Sequence, residues 1–338
     1  MSARAFIAGS SGPALTEAER AFFRDAKPWG FIVFRRNIES PGQLAALVAS
    51  FRDAVGRADA PVLVDQEGGR VQRMTTPHWP KYPPGARFGE IFARDPVLGR
   101  EITRLGAMLM AHDLGKVGIN VDCVPVLDVP QPDAHDIIGD RAYGRDPRTV
   151  SILGRAAAEG LLAQGVLPVI KHVPGHGRAF ADSHEALPVV EASFAELDAT
   201  DFAPFRALAD MPLAMTAHVV YTAIDPAAPI TTSRRGISLI RDELGYDGCV
   251  MSDDLSMKAL SGAMRGRAEA AFAAGCDLAL HCNGDMDEMR AVAEASPVLA
   301  GDAGRRAAAA LGRIAHAPEP FDPVDARARL DAALAAVA

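Results

Sequence analysis

The chain of 338 residues has few cysteines, few aromatic residues and no block of positive charge. Its four cysteines, Cys123, Cys249, Cys276 and Cys282, lack CxxC spacing, so we interpret them as reduced core residues rather than disulfide partners or metal ligands. No run of about 18 apolar residues occurs, so no transmembrane helix is predicted. The 43 acidic residues outnumber the 35 basic ones, for a net charge of −8, which argues against nucleic acid or an anionic membrane as a partner.

The first residues, MSARAFIAGSSGPAL, contain one early basic residue, Arg4, and an apolar stretch too short for a signal peptide. We therefore expect a cytoplasmic protein. No linker or low-complexity segment separates a second domain, so residues 1–338 are expected to form a single domain that ends in a helix from about residue 322. The helix patterns show no exposed interaction stripe, and the sequence gives no prediction of the oligomeric state.

Eight short apolar runs alternate with longer helical patterns, such as Ala195–Ala209, which is typical of parallel βαβ units. The runs are Ala5–Gly9, Trp29–Phe34, Pro61–Asp65, Ile119–Leu127, Leu167–His172, Leu213–His218, Cys249–Asp253 and Asp277–His281. Eight such units fit a (β/α)8 barrel of the TIM type, with the remaining length in long loops after the strands. A doubly wound open sheet is the structural alternative.

Several of these runs end abruptly in a polar side chain. The residues concerned are Asp65, Asp128, Lys171, His172, His218 and Asp253. In a barrel the carboxyl ends of the strands meet at one rim, which is where active sites of this fold lie. The sequence therefore predicts one pocket that gathers these groups, although each of them taken alone is equally compatible with a solvated charge at a strand end.

The segment KHVPGHGRAFADSHEALP, residues 171–188, has the highest density of reactive side chains. Its histidines lie on a glycine-bearing loop and not at i, i+4 on a helix, and HExxH is absent, so no metal is predicted and zinc is the minor alternative. In the triplet Asp182-Ser183-His184, a carboxylate two residues from an imidazole can fix its tautomer and raise its pKa. This pattern indicates a general acid/base dyad, and its alternative is a loop Asp and His that face solvent.

Two further segments carry carboxylates at strand ends. In GCVMSDDL, Asp253 is the candidate nucleophile, and Asp254 is assigned a structural role as the cap of a helix predicted over LSMKAL. The segment DQEGGR, with Arg73 close behind it, offers donors and acceptors for sugar hydroxyls, and its glycines allow close backbone approach. Taken alone, DQEGGR also fits a salt-bridged turn.

Together these segments resemble the bacterial β-N-acetylglucosaminidases of glycoside hydrolase family three, in particular the compact cytoplasmic type that recycles cell-wall muropeptides. The matching segments are VDQEGGRVQR (64–73), GDRAYG (139–144), KHVPGHG (171–177), DSH (182–184) and MSDDLSM (251–257), in the family's order and spacing. One departure is Val173, where the family commonly has an aromatic residue, and we expect it to alter packing rather than chemistry.

The resemblance implies a (β/α)8-barrel exo-glycosidase that removes terminal β-linked N-acetylglucosamine with retention of configuration and without a cofactor. By position, Asp253 matches the nucleophile, and His184, supported by Asp182, matches the acid/base. The residues that match sugar-binding positions are Asp65, Arg73, Arg141, Lys171 and His172. The expected partner is thus a small carbohydrate, an N-acetylglucosaminyl muropeptide or a related glycoside.

Three alternatives remain at this point. A glycoside phosphorylase is compatible with the dyad, because a neutral histidine would not repel an attacking phosphate as a carboxylate base would. A non-catalytic sugar-binding barrel is disfavoured because the nucleophile and the dyad are both present. A metal-dependent barrel hydrolase would be revealed by chelator-sensitive activity.

Overall fold

The computed structural model of the protein describes residues 3–132, 134, 136–179 and 187–337. Eight parallel strands form the central sheet, and each lies at one of the predicted apolar runs. They are β1 Arg4–Ala8, β2 Pro28–Val33, β3 Val62–Val64, β4 Val121–Asp122, β5 Leu167–Val173, β6 Leu213–Thr216, β7 Cys249–Asp254 and β8 Leu278–His281. Neighbouring strands pair in sequence order and β8 pairs with β1, so the sheet is a closed barrel. The predicted (β/α)8 barrel is confirmed, and closure excludes the open doubly wound sheet.

Helices surround this barrel in the described part of the chain. They are α1 Glu17–Ala26, α2 Pro41–Val55, α3 Gly85–Arg94, α4 Pro96–Gly115, α5 Pro147–Ala163, α6 Phe194–Ala199, α7 Ala203–Ala207, α8 Arg234–Ser238, α9 Met264–Ala274, α10 Met286–Ala295, α11 Gly301–Gly312 and α12 Pro323–Ala335. The last of these agrees with the terminal helix predicted from about residue 322. None of the helices in the described ranges combines the length and apolar character needed to cross a membrane.

Side chains alternate along the strands between two apolar layers, as the two-residue period of a strand requires. In β5, Leu167 and Val169 point into the barrel interior, whereas Ile170 packs in the outer layer under the helices. The alanines Ala307 and Ala310 of α11 join the inner cluster, and α11 thereby covers one end of the barrel. Because both faces are buried, the strands are apolar over nearly their whole length, and their few polar residues stand out at the ends.

Local sequence signals set the helix boundaries. Ser40 caps α2 through a reciprocal capping box with Gln43, and Pro41 occupies the first turn, where its missing N–H costs nothing. Gly56 ends this helix in the left-handed conformation, with φ of 65°. The four cysteines are buried, as predicted for core residues.

Two predicted helices are wrong in detail. The continuous helix expected over 195–209 is divided into α6 and α7, because the ring of Pro204 would clash with the carbonyl of Thr200 if α6 continued. The segment LSMKAL after Asp254 is a series of turns. The Asp254 carboxylate accepts hydrogen bonds from the backbone N–H (3.0 Å) and the hydroxyl (2.6 Å) of Ser256, and this local pairing competes with helix formation. Asp254 therefore stabilises a turn, and the predicted cap of a helix is wrong.

Candidate active site

A cavity of about 500 Å³ opens at the carboxyl ends of the barrel strands. Six of the eight residues proposed from the sequence line it, namely Asp65, Arg73, Arg141, Lys171, His172 and Asp253. The other two, Asp182 and His184, lie outside the described residues. The strand ends thus converge on one rim, as the barrel prediction requires.

The polar side of the cavity is a network of buried ion pairs. The Lys171 ammonium lies 3.0 Å from Asp65 Oδ1 and 2.7 Å from Glu67 Oε1. Arg73 pairs with the other oxygen of Asp65 at 3.0 Å, and Arg141 forms a two-pronged pair with Glu67 at 2.8 Å for each contact. The two arginines and the lysine therefore hold both carboxylates in fixed orientations.

This network keeps its acids ionised despite their burial. Burial alone would raise the pKa of Glu67, but the charges of Lys171 and Arg141 outweigh it and lower that pKa to about 2. The pKa of Asp65 is likewise held well below its usual value, because Lys171 and Arg73 together outweigh the effect of burial. Burial disfavours the charged form of Lys171 too, yet its two carboxylate partners raise its pKa above the ordinary value.

Glu67 was not selected from the sequence, although it lies inside DQEGGR. The sequence does contain a signal for Glu67. A glutamate directly after a buried strand and beside two glycines is expected to be buried, and a buried glutamate needs cations as partners. The backbone next to Glu67 is also tightly packed. Gly68 has φ of +93°, and a Cβ there would lie 2.2 Å from the Pro83 carbonyl oxygen, so this tight approach needs glycine.

A second buried cluster orients the two histidines of KHVPGHG. The carboxylate of Asp128 lies 2.7 Å from His172 Nδ1 and also accepts the backbone N–H groups of His172 (3.1 Å) and His176 (2.6 Å). Burial raises the pKa of Asp128, but His172 and the other donors outweigh it and lower the pKa to about 2. The acid is therefore ionised and acts only as an acceptor, so the Nδ1 of His172 carries the proton. Burial lowers the pKa of His176 to about 4, which makes that ring neutral at pH 7.

Asp253 lies at the end of β7 with its carboxylate in the cavity. Its Oδ1 accepts a hydrogen bond of 2.8 Å from the backbone N–H of Asp254, a partner that lies next to it in the chain. Burial by itself raises the pKa of Asp253, but His218, His172, the Asp254 N–H and Lys171 together hold it below the ordinary value. The result is an ionised carboxylate with one oxygen fixed.

Part of the cavity lining is apolar. It consists of Ile32, Phe34, Met215 and Leu280, and the Arg73 guanidinium lies 4.9 Å from the ring centre of Phe34. A pocket that combines paired charges with aromatic and aliphatic surface suits a ligand that has both hydroxyls and an apolar face. Within the ranges that the structure describes, no group of three or more His, Cys, Asp or Glu side chains is arranged to hold a metal ion.

Both flanks of the segment that carries Asp182 and His184 are anchored. Before it, Arg178 donates to Asp201 at 2.7 Å, and the hydroxyl of Tyr221 donates to the Gly175 carbonyl. After it, Val189–Val190 pairs in parallel with Val220–Tyr221. These contacts fix where the chain leaves the rim and where it returns, close to β6.

An ionised carboxylate at the carboxyl rim of a (β/α)8 barrel, beside a charged and apolar pocket, fits the class of carbohydrate-processing barrel enzymes. Residues 11–314 match the model of the glycosyl hydrolase family 3 N-terminal domain, and the chain belongs to this family. It is a glycoside hydrolase, and the family resemblance carried by its motifs is confirmed.

Individual relatives support the assignment along the chain. A beta-hexosaminidase of Bordetella avium is 40% identical over 280 residues, covering 81% of this chain and 79% of that protein. A beta-hexosaminidase of Thioalkalivibrio sulfidiphilus is 42% identical over 276 residues, covering 80% and 78%. Among solved structures, NagZ from Neisseria gonorrhoeae in complex with N-trifluoroacetyl-D-glucosamine superposes with a TM-score of 0.85 at 30% identity and covers 100% of this chain and 98% of that one.

Proposed function

We propose that this family 3 hydrolase is a retaining exo-β-N-acetylglucosaminidase that removes a terminal β-linked N-acetylglucosamine. Its relatives from B. avium and T. sulfidiphilus are named beta-hexosaminidases, and the N. gonorrhoeae protein holds an N-acylated glucosamine derivative. The family resemblance further supports N-acetylglucosaminyl muropeptides as substrates, in cell-wall recycling in the cytoplasm.

The observation that carries the proposal is the state of Asp253. Retaining hydrolysis needs a carboxylate that attacks the anomeric carbon and forms a covalent glycosyl-enzyme. Asp253 supports this role because it is ionised, lies in the cavity and has one oxygen fixed by the Asp254 N–H at 2.8 Å. The second oxygen is then the attacking atom.

The paired residues on the polar side provide sugar-binding groups. An ammonium has three donors, and Lys171 uses two of them on Asp65 and Glu67, which leaves one for a hydroxyl. Asp65 accepts one bond at each oxygen and keeps lone pairs for hydroxyl protons. Arg73, Arg141 and His172 complete the proposed set around the ring.

For the proton transfers we propose the dyad of His184 and Asp182. With Asp182 raising its basicity, His184 protonates the leaving oxygen and then deprotonates the incoming water. The support for this assignment is the DSH motif and its distance along the chain from KHVPGHG, as in the family that the sequence resembles. Flanks anchored next to the cavity are compatible with it.

The proposal is tested by mass spectrometry of the products from an aryl β-N-acetylglucosaminide, in phosphate buffer and in phosphate-free buffer. Free N-acetylglucosamine in both buffers is expected. The sugar 1-phosphate in phosphate buffer would make the protein a phosphorylase, and no product in either would overturn the activity.

Two variants test the assigned roles. Asp253→Ala is expected to abolish turnover of every glycoside. His184→Ala is expected to slow substrates with poor leaving groups far more than substrates with good ones, because good leaving groups depart without protonation. Equal losses for all leaving groups would contradict the acid role.

A further inference from the structure

His218 is a buried histidine at the active-site end of the barrel that the proposed chemistry does not use. It follows β6 by two residues and is fully buried. Its ring contacts the end of β7 but does not line the cavity. A buried imidazole must find partners for both nitrogens, and those partners show what the residue does.

Both ring nitrogens of His218 have defined partners. Nε2 lies 3.0 Å from the carbonyl oxygen of Asp254, and Nδ1 lies 2.7 Å from the hydroxyl of Thr231. A carbonyl oxygen can only accept, so Nε2 carries the proton. Burial lowers the pKa of His218 below the ordinary value, which leaves the ring neutral and Nδ1 as an acceptor for the Thr231 hydroxyl. A second hydroxyl, that of Thr216, lies 2.7 Å from the Thr231 oxygen and completes the chain.

Asp254 transmits this contact to the nucleophile. Its backbone N–H donates to Asp253 Oδ1 at 2.8 Å, while its carbonyl accepts from His218. Its own carboxylate is held by Ser256 and by the backbone N–H of Cys282 at 3.1 Å. Asp254 is therefore held at its carboxylate by Ser256 and Cys282 and at its carbonyl by His218, which follows β6.

We infer that His218 is a positioning residue for Asp253: as a neutral Nε2–H imidazole it fixes the Asp254 carbonyl and thereby the direction in which the Asp253 carboxylate faces the sugar. The inference rests on the proposed role of Asp253 as the nucleophile. The ring lowers the pKa of Asp253 by its charge only when it is protonated at acid pH, whereas at pH 7 the neutral ring acts on Asp253 through the Asp254 carbonyl.

The kinetic test uses single turnover of an aryl β-N-acetylglucosaminide with a good leaving group and enzyme in excess. This experiment separates the maximal rate of bond cleavage from the enzyme concentration that gives half of it. For His218→Phe we expect a loss of about 100-fold in the maximal rate, the size expected when a reacting group is displaced by about 1 Å, with half-saturation changed by less than about threefold.

Two milder variants probe the hydrogen bonds separately. His218→Gln keeps an N–H that can reach the Asp254 carbonyl, so it is expected to retain more activity than His218→Phe. Thr231→Val leaves the ring in place and removes one neutral hydrogen bond, for which we expect a loss of about fivefold. The matched control is His281→Phe, since His281 is equally buried at the end of β8 but is held by Glu288 at 2.9 Å.

An unchanged maximal rate in folded His218→Phe, a change confined to half-saturation, or equal losses in the Phe and Gln variants would each overturn the inference. The ¹⁵N NMR spectrum of the wild-type histidines adds a test that needs neither a variant nor activity. A neutral Nε2–H tautomer of His218 at pH 7 is expected, and a Nδ1–H or doubly protonated ring would overturn the inference. Wild-type protein with the expected tautomer but no activity on the aryl glycoside would overturn the proposed function instead.

Discussion

Replacement of Lys171 by methionine measures how strongly the active-site ion pairs depend on one another. The side chain is 3% exposed and its partners Asp65 and Glu67 are 13% and 5% exposed, so removal of the ammonium leaves two largely buried carboxylates short of a cation. Loss of one member of a buried pair typically costs about 3–5 kcal/mol. Because Asp65 keeps Arg73 and Glu67 keeps Arg141, we expect the lower end, about 3 kcal/mol of the free energy of unfolding.

The pH dependence has a definite sign. The pKa of Glu67 is about 2 in the folded chain and 4.5 ordinarily, so its pairing stabilises the fold above pH 4.5 and this stability is lost as the pH falls toward 2. In Lys171→Met the pKa of Glu67 rises toward that of an unpaired buried acid. The variant is therefore expected to lose most stability at pH 7 and less at pH 4, where Glu67 can take up a proton.

Urea unfolding at the two pH values checks this, together with a melting temperature expected to fall by about 4 °C at pH 7. The control is Lys116→Met, whose partner Asp113 lies 3.3 Å away and whose side chain is 59% exposed. Such a surface pair contributes about 0.5 kcal/mol or less. A loss in Lys171→Met no larger than in this control, or one that grows as the pH falls, would refute the reasoning.

Two further perturbations follow from the same site. Arg141→Lys replaces the two parallel hydrogen bonds to Glu67 by at most one. Substrate affinity is therefore expected to fall about tenfold, measured as a rise in KM for the aryl glycoside. An unchanged KM would contradict a sugar-binding role for Arg141. Burial raises the pKa of Asp122 well above the ordinary value, so the folded chain must hold its proton and loses stability as the pH rises through that raised pKa. Asp122→Asn is expected to remove this loss of stability. The urea midpoint of the variant should therefore exceed that of the wild type by more at pH 9 than at pH 5. The same difference in midpoint at both pH values would count against a neutral Asp122.

The barrel could be predicted from the sequence because its strands are buried on both faces. Runs such as 167–172 and 249–253 are apolar until they end in two polar side chains, and the structure places them at β5 and β7. Their order around the barrel then follows from the connectivity of βαβ units. The helices were less predictable where a single residue overrides the hydrophobic pattern, as Pro204 does through its ring and Asp254 does through its hydrogen bonds to Ser256.

The sequence predicted where the candidate site lies better than it predicted which side chains pair within it. Asp65, Lys171 and Asp253 stand out as strand-end charges, and the structure places all three in one cavity. Asp128 was also predicted as a strand-end residue, but its hydrogen bonds to His172 and His176, and the ion pairs of Glu67, join segments far apart in the chain and cannot be predicted from residue spacing. The roles of Asp182 and His184, and the single-domain organisation of residues 1–338, stay predictions.

Attack of Asp253 on the sugar is tested by peptide mapping after acid quench during turnover of an aryl β-N-acetylglucosaminide. The expected result is a peptide containing residues 251–257 that carries the mass of one N-acetylglucosaminyl residue, with the label on Asp253. A label on another residue, or no label together with a first-formed product of inverted configuration, would contradict it.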